Sequence, residues 1–193
     1  MSSSKKCVEI RRVRAADARD YRAVLIEALI VHPDCFSDDY NSEVSRPLSD
    51  IEQELERGGI FGIWFGGVLV GIGSGTVCSA SKRRHCGIVR NLYVREQYRR
   101  RGFARSLLKE IVSYACENVD QMEAQIPSEC ENAVHLFEQF GFRLCGLLPR
   151  GLKVGNEELD VWTDEPSVAM TFMHAERESV RREARLIFSR SCI

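Results

Sequence analysis

Residues 86–118 read CGIVRNLYVREQYRRRGFARSLLKEIVSYACEN, and this stretch decides the fold. Ile88 to Val94 is β-branched and aromatic enough to form a strand, and Gln97 to Arg101 interrupts it with polar groups. After Gly102 the apolar residues Phe103, Leu107, Leu108, Ile111, Val112 and Ala115 recur at a spacing that gathers them on one side of a helix. Gly102 therefore stands at or near a helix N-terminus. There the first amides have no intrahelical acceptor and the macrodipole is positive, so phosphate oxygens find a natural seat. Glycine lets the main chain come close to such a ligand, and Ala104 keeps the approach open. Arg99, Arg100, Arg101 and Arg105 add positive charge, and arginine can meet phosphate through two parallel hydrogen bonds.

A solvated arginine face on an ordinary strand–helix turn is the plainer explanation of a charge run. Three consecutive arginines at a helix N-terminus oppose the macrodipole, however, and call for an anion. Gly71-Ile72-Gly73-Ser74-Gly75 is not G-x-G-x-x-G and sits within a strand-like run, and Gly-Lys-Ser/Thr is absent, which sets aside dinucleotide and P-loop sites. Arg99-x-x-Gly102-x-Ala104 following Leu92-Tyr93-Val94 resembles the cofactor motif Gln/Arg-x-x-Gly-x-Gly/Ala of the GNAT superfamily of acyl-CoA N-acetyltransferases. The flanking elements follow that family's order from about Val8 to Met173. The resemblance implies acetyl-CoA as co-substrate, its pyrophosphate held on backbone amides. It makes Leu92, Tyr93, Val94, Arg99, Arg100, Arg101, Gly102, Phe103, Ala104 and Arg105 the expected cofactor-binding residues.

The 193 residues suit one domain, or one domain and a tail, and the formal net charge of −1 provides no global field toward nucleic acid or membrane. The eight cysteines show no C-x-x-C pair and no short His/Cys cluster, so neither a metal site nor a disulfide framework is expected. A reduced, cytoplasmic protein is the simpler expectation. The N-terminus lacks an apolar signal region, and no apolar run approaches the roughly 20 residues of a membrane span.

In chain order, Cys7 to Arg14 alternates as a half-buried strand should, and Asp17 is placed to cap a helix that Pro33 ends after Val31. Residues 32–48 read as irregular. Ser49-Asp50 looks like the cap of a short second helix stopping at Gly58-Gly59. A hairpin follows, Ile60 to Phe65 and Val68 to Val77 around Gly66-Gly67, then a basic turn into the Cys86–Val94 strand. Beyond the central helix come a strand (Met122 to Ile126), a helix (Glu131 to Phe140) and two strands, Phe142 to Val154 and Glu158 to Met173, joined at Gly155-Asn156, with Pro166 marking a bulge or edge. The order β-α-α-β-β-β-α-β-α-β-β is that of the GNAT fold. The resemblance thus implies an α/β (α+β) domain over 7–174, with a mixed, mostly antiparallel sheet of six to seven strands and helices on both faces. Residues 175–193 form a charged extension. Val180, Ala184 and Ile187 could line a helix that docks, forms a homodimer or stays loose.

Acetyl transfer to an amine needs a held thioester, a donor to its carbonyl, an unprotonated amine and a proton for the leaving thiolate. In the family, two parallel strands splay at the cofactor turn. Here these would be Asn91–Val94 and Met122–Ile126, freeing the backbone of Leu92 and Val94. The family's acid is often a tyrosine in Asn-x-x-Ala-x-x-Leu-Tyr-x-x-x-Gly-Phe. Aligning Ala133, Leu136 and Gly141-Phe142 puts Cys130 at the asparagine and Phe137 at the tyrosine, and Phe137 has no proton to give. Tyr93 and Cys130, with Ser128 and His135, are candidates by location, each with a plain reading as a packing or surface residue. The alternatives are a weakly catalytic acyl-CoA-binding regulatory module, or an interaction protein using the arginines for nucleic acid. Against the latter, aromatic interleaving is limited to Tyr93, Tyr98 and Phe103. Asp34, Asp38, Asp39 and Glu43 make the segment between the first two helices acidic, hinting at a cationic amine acceptor of small-molecule or peptide kind. Phe36 and Tyr40 would cap that pocket or pin the segment to the core.

Overall fold

A computed structural model describes residues 7–127, 130–153 and 167–190. Among these residues seven strands form one sheet: β1 (Val8–Arg12), β2 (Ile60–Phe65), β3 (Val68–Val77), β4 (Cys86–Val94), β5 (Gln121–Pro127), β6 (Arg143–Lys153) and β7 (Ser167–Glu176). Their order across the sheet is β1-β2-β3-β4-β5-β7-β6, and every pairing is antiparallel except β4 with β5. The helices are α1 (Ala18–Val31), α2 (Tyr40–Ser45), α3 (Leu48–Arg57), α4 (Phe103–Ala115), α5 (Glu131–Glu138) and α6 (Arg177–Arg190).

The sheet has a core on each face, because successive strand side chains point to opposite sides. On one face Leu25, Ala28 and Leu29 of α1 and Ile51 and Leu55 of α3 pack with Trp64, Ile72 and Tyr93. On the other, Leu107, Leu108 and Ile111 of α4 pack with Val89, Met122, Phe140 and Phe142. The glycines of β3 belong to this packing. A Cβ on Gly73 would lie 2.7 Å from Ile111 Cδ1, and one on Gly75 would lie 2.8 Å from Ile111 Cγ2, so their absence lets α4 press close onto the sheet.

Several boundaries differ from the expectations. Residues 32–48 are not irregular throughout: Asp39 accepts a hydrogen bond from the Ser42 amide at 2.9 Å and caps the six-residue α2. Helix α3 begins at Leu48 behind Pro47, whose fixed φ starts the helix before Ser49-Asp50 can cap it. The Asp17 carboxylate does not cap α1 either. It accepts from the Arg14 amide at 2.9 Å, closing the preceding tight turn, and from both Arg11 terminal nitrogens at 2.7 and 2.9 Å. Helix α5 ends at Glu138, short of Phe140, before Gly141 turns the chain at φ +83°. The last strand runs on to Glu176; its expected start, the Gly155-Asn156 turn and Pro166 lie outside the described residues.

The C-terminal residues up to Arg190 form α6, and Val180 is wholly buried in the α4–α5 core. Arg181 donates to the Cys116 carbonyl at 2.9 Å, placing a cation at the C-terminal end of α4 where the macrodipole favours it. Among the described residues, no helix is long and apolar enough to cross a membrane.

Candidate active site

The site begins where β4 and β5 part. Their parallel register covers Cys86–Val89 against Gln121–Ala124 and goes no further. Met122 to Ala124 therefore stay paired, and the parting starts one step beyond them, at Gln125. On its other side β4 remains joined to β3, with Tyr93 opposite Ile72 and the Arg95 amide donating to Val70 at 2.9 Å. Strand alternation then turns the backbone groups of Leu92 and Val94 into the gap. Between the pairs Ile72–Tyr93 and Ser74–Arg90, β4 carries one extra residue, a bulge in which Asn91 adopts φ +54°. Asn91 Nδ2 donates to Asp38 Oδ2 at 2.8 Å, tying the bulge to the segment ahead of α2.

Helix α4 points its N-terminus at this gap. Gly102 takes a left-handed conformation at φ +77°, and Arg100 does so at φ +62°. The first intrahelical bond runs from the Ser106 amide to the Gly102 carbonyl at 3.0 Å, leaving the amides of Phe103, Ala104 and Arg105 without an intrahelical acceptor. A Cβ at Gly102 would meet nothing within 4 Å, and Gly102 lines the open cavity. Amides, a helix N-terminus and an open cradle suit a diphosphate.

The arginines divide their roles. Arg100 and Arg105 line the cavity, and so does Arg99. Arg99 Nε donates to the Val94 carbonyl at 2.9 Å and Nη2 donates to His32 Nε2 at 2.8 Å, which puts the imidazole proton on Nδ1. Arg101 turns away: its guanidinium lies over Phe65 at 5.3 Å and Tyr98 at 5.7 Å, outside the lining. Phe103 is buried at the start of α4 and borders the cavity.

The cavity measures about 940 Å³ and runs from α4 past Leu92 and Val94 to His32, Cys35, Phe36 and Cys130. Tyr93 is buried, its hydroxyl donating to Glu27 Oε1 at 3.2 Å. Burial first, and Glu27 second, raise its phenol above the ordinary value. Phe36 is also buried, its ring edge-on to Tyr93 at 6.2 Å, whereas Tyr40 is exposed on α2. Phe137 is buried against Phe142 at 5.0 Å and borders the cavity with carbon alone. His135 lies mostly in solvent beside Glu138 and Gln139. Ser128 lies outside the described residues. Cys130 is half-buried in the cavity wall with its sulfur 3.3 Å from that of Cys35.

Of the four acidic residues, Asp38 is engaged by Asn91, Asp39 by the cap of α2 and Glu43 by Arg46, and none of the four lines the cavity. Sequence reasoning missed His32, Cys35 and the place of Asn91 in the bulge. The signals were present, since asparagine is the non-glycine residue readiest to enter the left-handed region and His32 sits where Pro33 must end α1.

A sequence model of the acetyltransferase (GNAT) family matches residues 26–142, which include the bulge, the α4 N-terminus and α5. The chain belongs to this family. As a GNAT acetyltransferase it is an acyltransferase enzyme. No curated protein matches the chain significantly. Among solved structures, an acetyltransferase of the GNAT family from Streptococcus pneumoniae superposes with a TM-score of 0.74 at 18% identity, covering 88% of this chain and 99% of that one. The ribosomal-protein-alanine N-acetyltransferase of Brucella melitensis gives 0.70 at 22% identity, over 87% and 99%. A phosphinothricin acetyltransferase from Sinorhizobium meliloti, in complex with acetyl-CoA, gives 0.70 at 16% identity, over 88% of each chain. These likenesses show the shared fold.

Proposed function

We propose that this GNAT enzyme transfers the acetyl group of acetyl-CoA to a primary amine of a small molecule or peptide, by direct attack in a ternary complex. The observation that carries this reading is the parting of β4 and β5 directly before the α4 N-terminus, within one cavity of about 940 Å³. Acetyl-CoA supplies the activated acyl group as a thioester. The amides of Phe103, Ala104 and Arg105 hold its diphosphate, with Arg100 and Arg105 beside them. The main chain of Leu92 and Val94 serves the acyl-bearing arm, and an amide in the gap is positioned to polarise the carbonyl under attack. Arg99 keeps the Val94 carbonyl occupied, so the gap presents mainly donors there.

The leaving thiolate needs a proton. Phe137 and the Glu27-bonded Tyr93 are poorly suited to give one; of the expected candidates among the described residues Cys130 and His135 both line the cavity, and Cys130, the more buried of the two, is the one we assign. The acceptor enters from the His32–Phe36 side. Asp38, Asp39 and Glu43 are held by Asn91, the α2 cap and Arg46 outside the cavity lining, so a cationic acceptor draws little support from them. Neighbours named for a ribosomal-protein alanine and for phosphinothricin differ in acceptor on a similar frame, which supports a primary amine as the class. The donor makes the cytoplasm the compartment we assign.

The test is release of coenzyme A thiol on incubation with acetyl-CoA and a panel of polyamines, aminoglycosides, amino acids and lysine peptides. At least one amine should raise release well above the hydrolysis seen without amine. Tight acetyl-CoA binding with no amine-dependent release would reduce the protein to an acyl-CoA-binding module.

A further inference from the structure

Cys35 and Cys130 are 95 residues apart in the chain, yet their sulfurs lie 3.3 Å from each other. Cys35 ends the tight turn Pro33–Cys35 that follows α1, and Cys130 is the residue before α5. Both are half-buried, and both border the cavity, one from the acceptor side and one from the α5 side. Among the described residues no third His, Cys, Asp or Glu joins them in a metal-binding group. Two apposed thiols without such a partner are set up for a bond to each other. A disulfide needs about 2.05 Å between sulfurs, so closure asks for about 1.3 Å of movement.

We propose that Cys35 and Cys130 form an oxidisable dithiol site, converted by a low-molecular-weight disulfide into an intramolecular disulfide that joins the two walls of the cavity. The Cys130 thiolate attacks one sulfur of the small disulfide, forming a mixed disulfide and expelling one small thiolate. The Cys35 thiolate then attacks the Cys130 sulfur, forming the protein disulfide and expelling the second small thiolate. The protein thiols lose two protons and two electrons, and the small disulfide is reduced to two thiols. Burial, then the neighbouring Cys130, raises the Cys35 thiol above its ordinary value, which fits Cys35 as the resolving partner.

The bond would reach the donor seat mechanically. The Cys35 amide donates to the His32 carbonyl at 3.0 Å, His32 holds Arg99 at 2.8 Å, and Arg99 holds Val94 at 2.9 Å. Drawing Cys35 toward Cys130 thus pulls on a chain of contacts ending at the gap, and a shift of this size costs about 100-fold in turnover. The effect on turnover rests on the acetyl-transfer reading; formation of the bond does not.

The test treats the full chain with oxidised glutathione, then maps peptides without reduction. The proposal expects a Cys35–Cys130 linked species about 2 Da below the sum of its free peptides, turnover reduced about 100-fold and restored by dithiothreitol. In Cys35→Ser, Cys130 should instead retain glutathione, and no intramolecular linked species should form. Separate glutathione on Cys35 and Cys130, or reaction at exposed Cys7 with neither of the pair modified, would overturn the site. A linked species with undiminished turnover would overturn the coupling to catalysis. If the reduced enzyme transfers to no amine while the linked species forms, acetyl transfer fails and the dithiol site stands.

Discussion

Gly102 does two things that no other residue type does together: it holds φ +77°, and it leaves open the space in front of three helix-terminal amides. Because a Cβ there meets no protein atom, Gly102→Val should cost only the backbone strain of the left-handed region, about 1–2 kcal/mol. It should weaken acetyl-CoA by about 100-fold or more, the loss of roughly two charge-assisted hydrogen bonds. Calorimetric titration alongside thermal unfolding separates the two effects, and unchanged affinity would remove the cradle. The spacing of Arg99, Gly102 and Ala104 was readable because this part of the site is local in sequence. The bond from Asn91 to Asp38 spans 53 residues, and its conformation follows from a bulge that only the paired strands reveal. Arg101 was misplaced among the cavity residues for a related reason: a charge in a motif says nothing of which aromatic ring will hold it, here Phe65.

The bulge in β4 and the turn before α1 are small elements held by single carboxylates. Asn91→Ala removes the donor to Asp38 and leaves alanine in a left-handed conformation, so the bulge should relax and kcat should fall about tenfold, the equivalent of one hydrogen bond. Asp38→Ala should do the same, and the double variant should be no worse than either single one if the pair acts as a unit. Additive losses in steady-state kinetics would assign the two residues separate roles. At the other element, Arg11 first, and the Arg14 amide after burial's opposing push, hold the Asp17 carboxyl below its usual range. A depressed carboxyl contributes stability above its unfolded value and loses it as pH falls through the folded one. Asp17→Asn should therefore be less stable than the parent at pH 7 by about 1–2 kcal/mol, and the difference should shrink from about pH 4 downward in urea titrations. Elements with strong period or turn chemistry, such as the β2–β3 hairpin, were legible to the residue. Helix α2 was not, because its turn-forming residues read as loop until Asp39 is seen capping Ser42.

Across the described residues, the mixed sheet, its parallel β4–β5 pairing and the helices on both faces followed from the element order and the family it resembles, whereas the fate of the C-terminal residues did not. A densely charged segment looks solvated in sequence, and only tertiary packing shows Val180 buried and Arg181 closing the end of α4 opposite to the cavity. Val180→Ala should cost about 1–3 kcal/mol in chemical unfolding while leaving transfer per folded molecule unchanged, since α6 grips the far end of that helix. A loss of turnover without a loss of stability would mean that α6 reaches the site. The divergence of β4 from β5 has a consequence for descent. The donor seat we propose draws on main-chain amides and on few side chains beyond Gly102, Arg100 and Arg105, whereas His32, Cys35 and Phe36 border another part of the cavity. If that division of labour holds, substitutions on the His32–Phe36 bank should exchange one recipient for another while leaving acyl-CoA affinity intact.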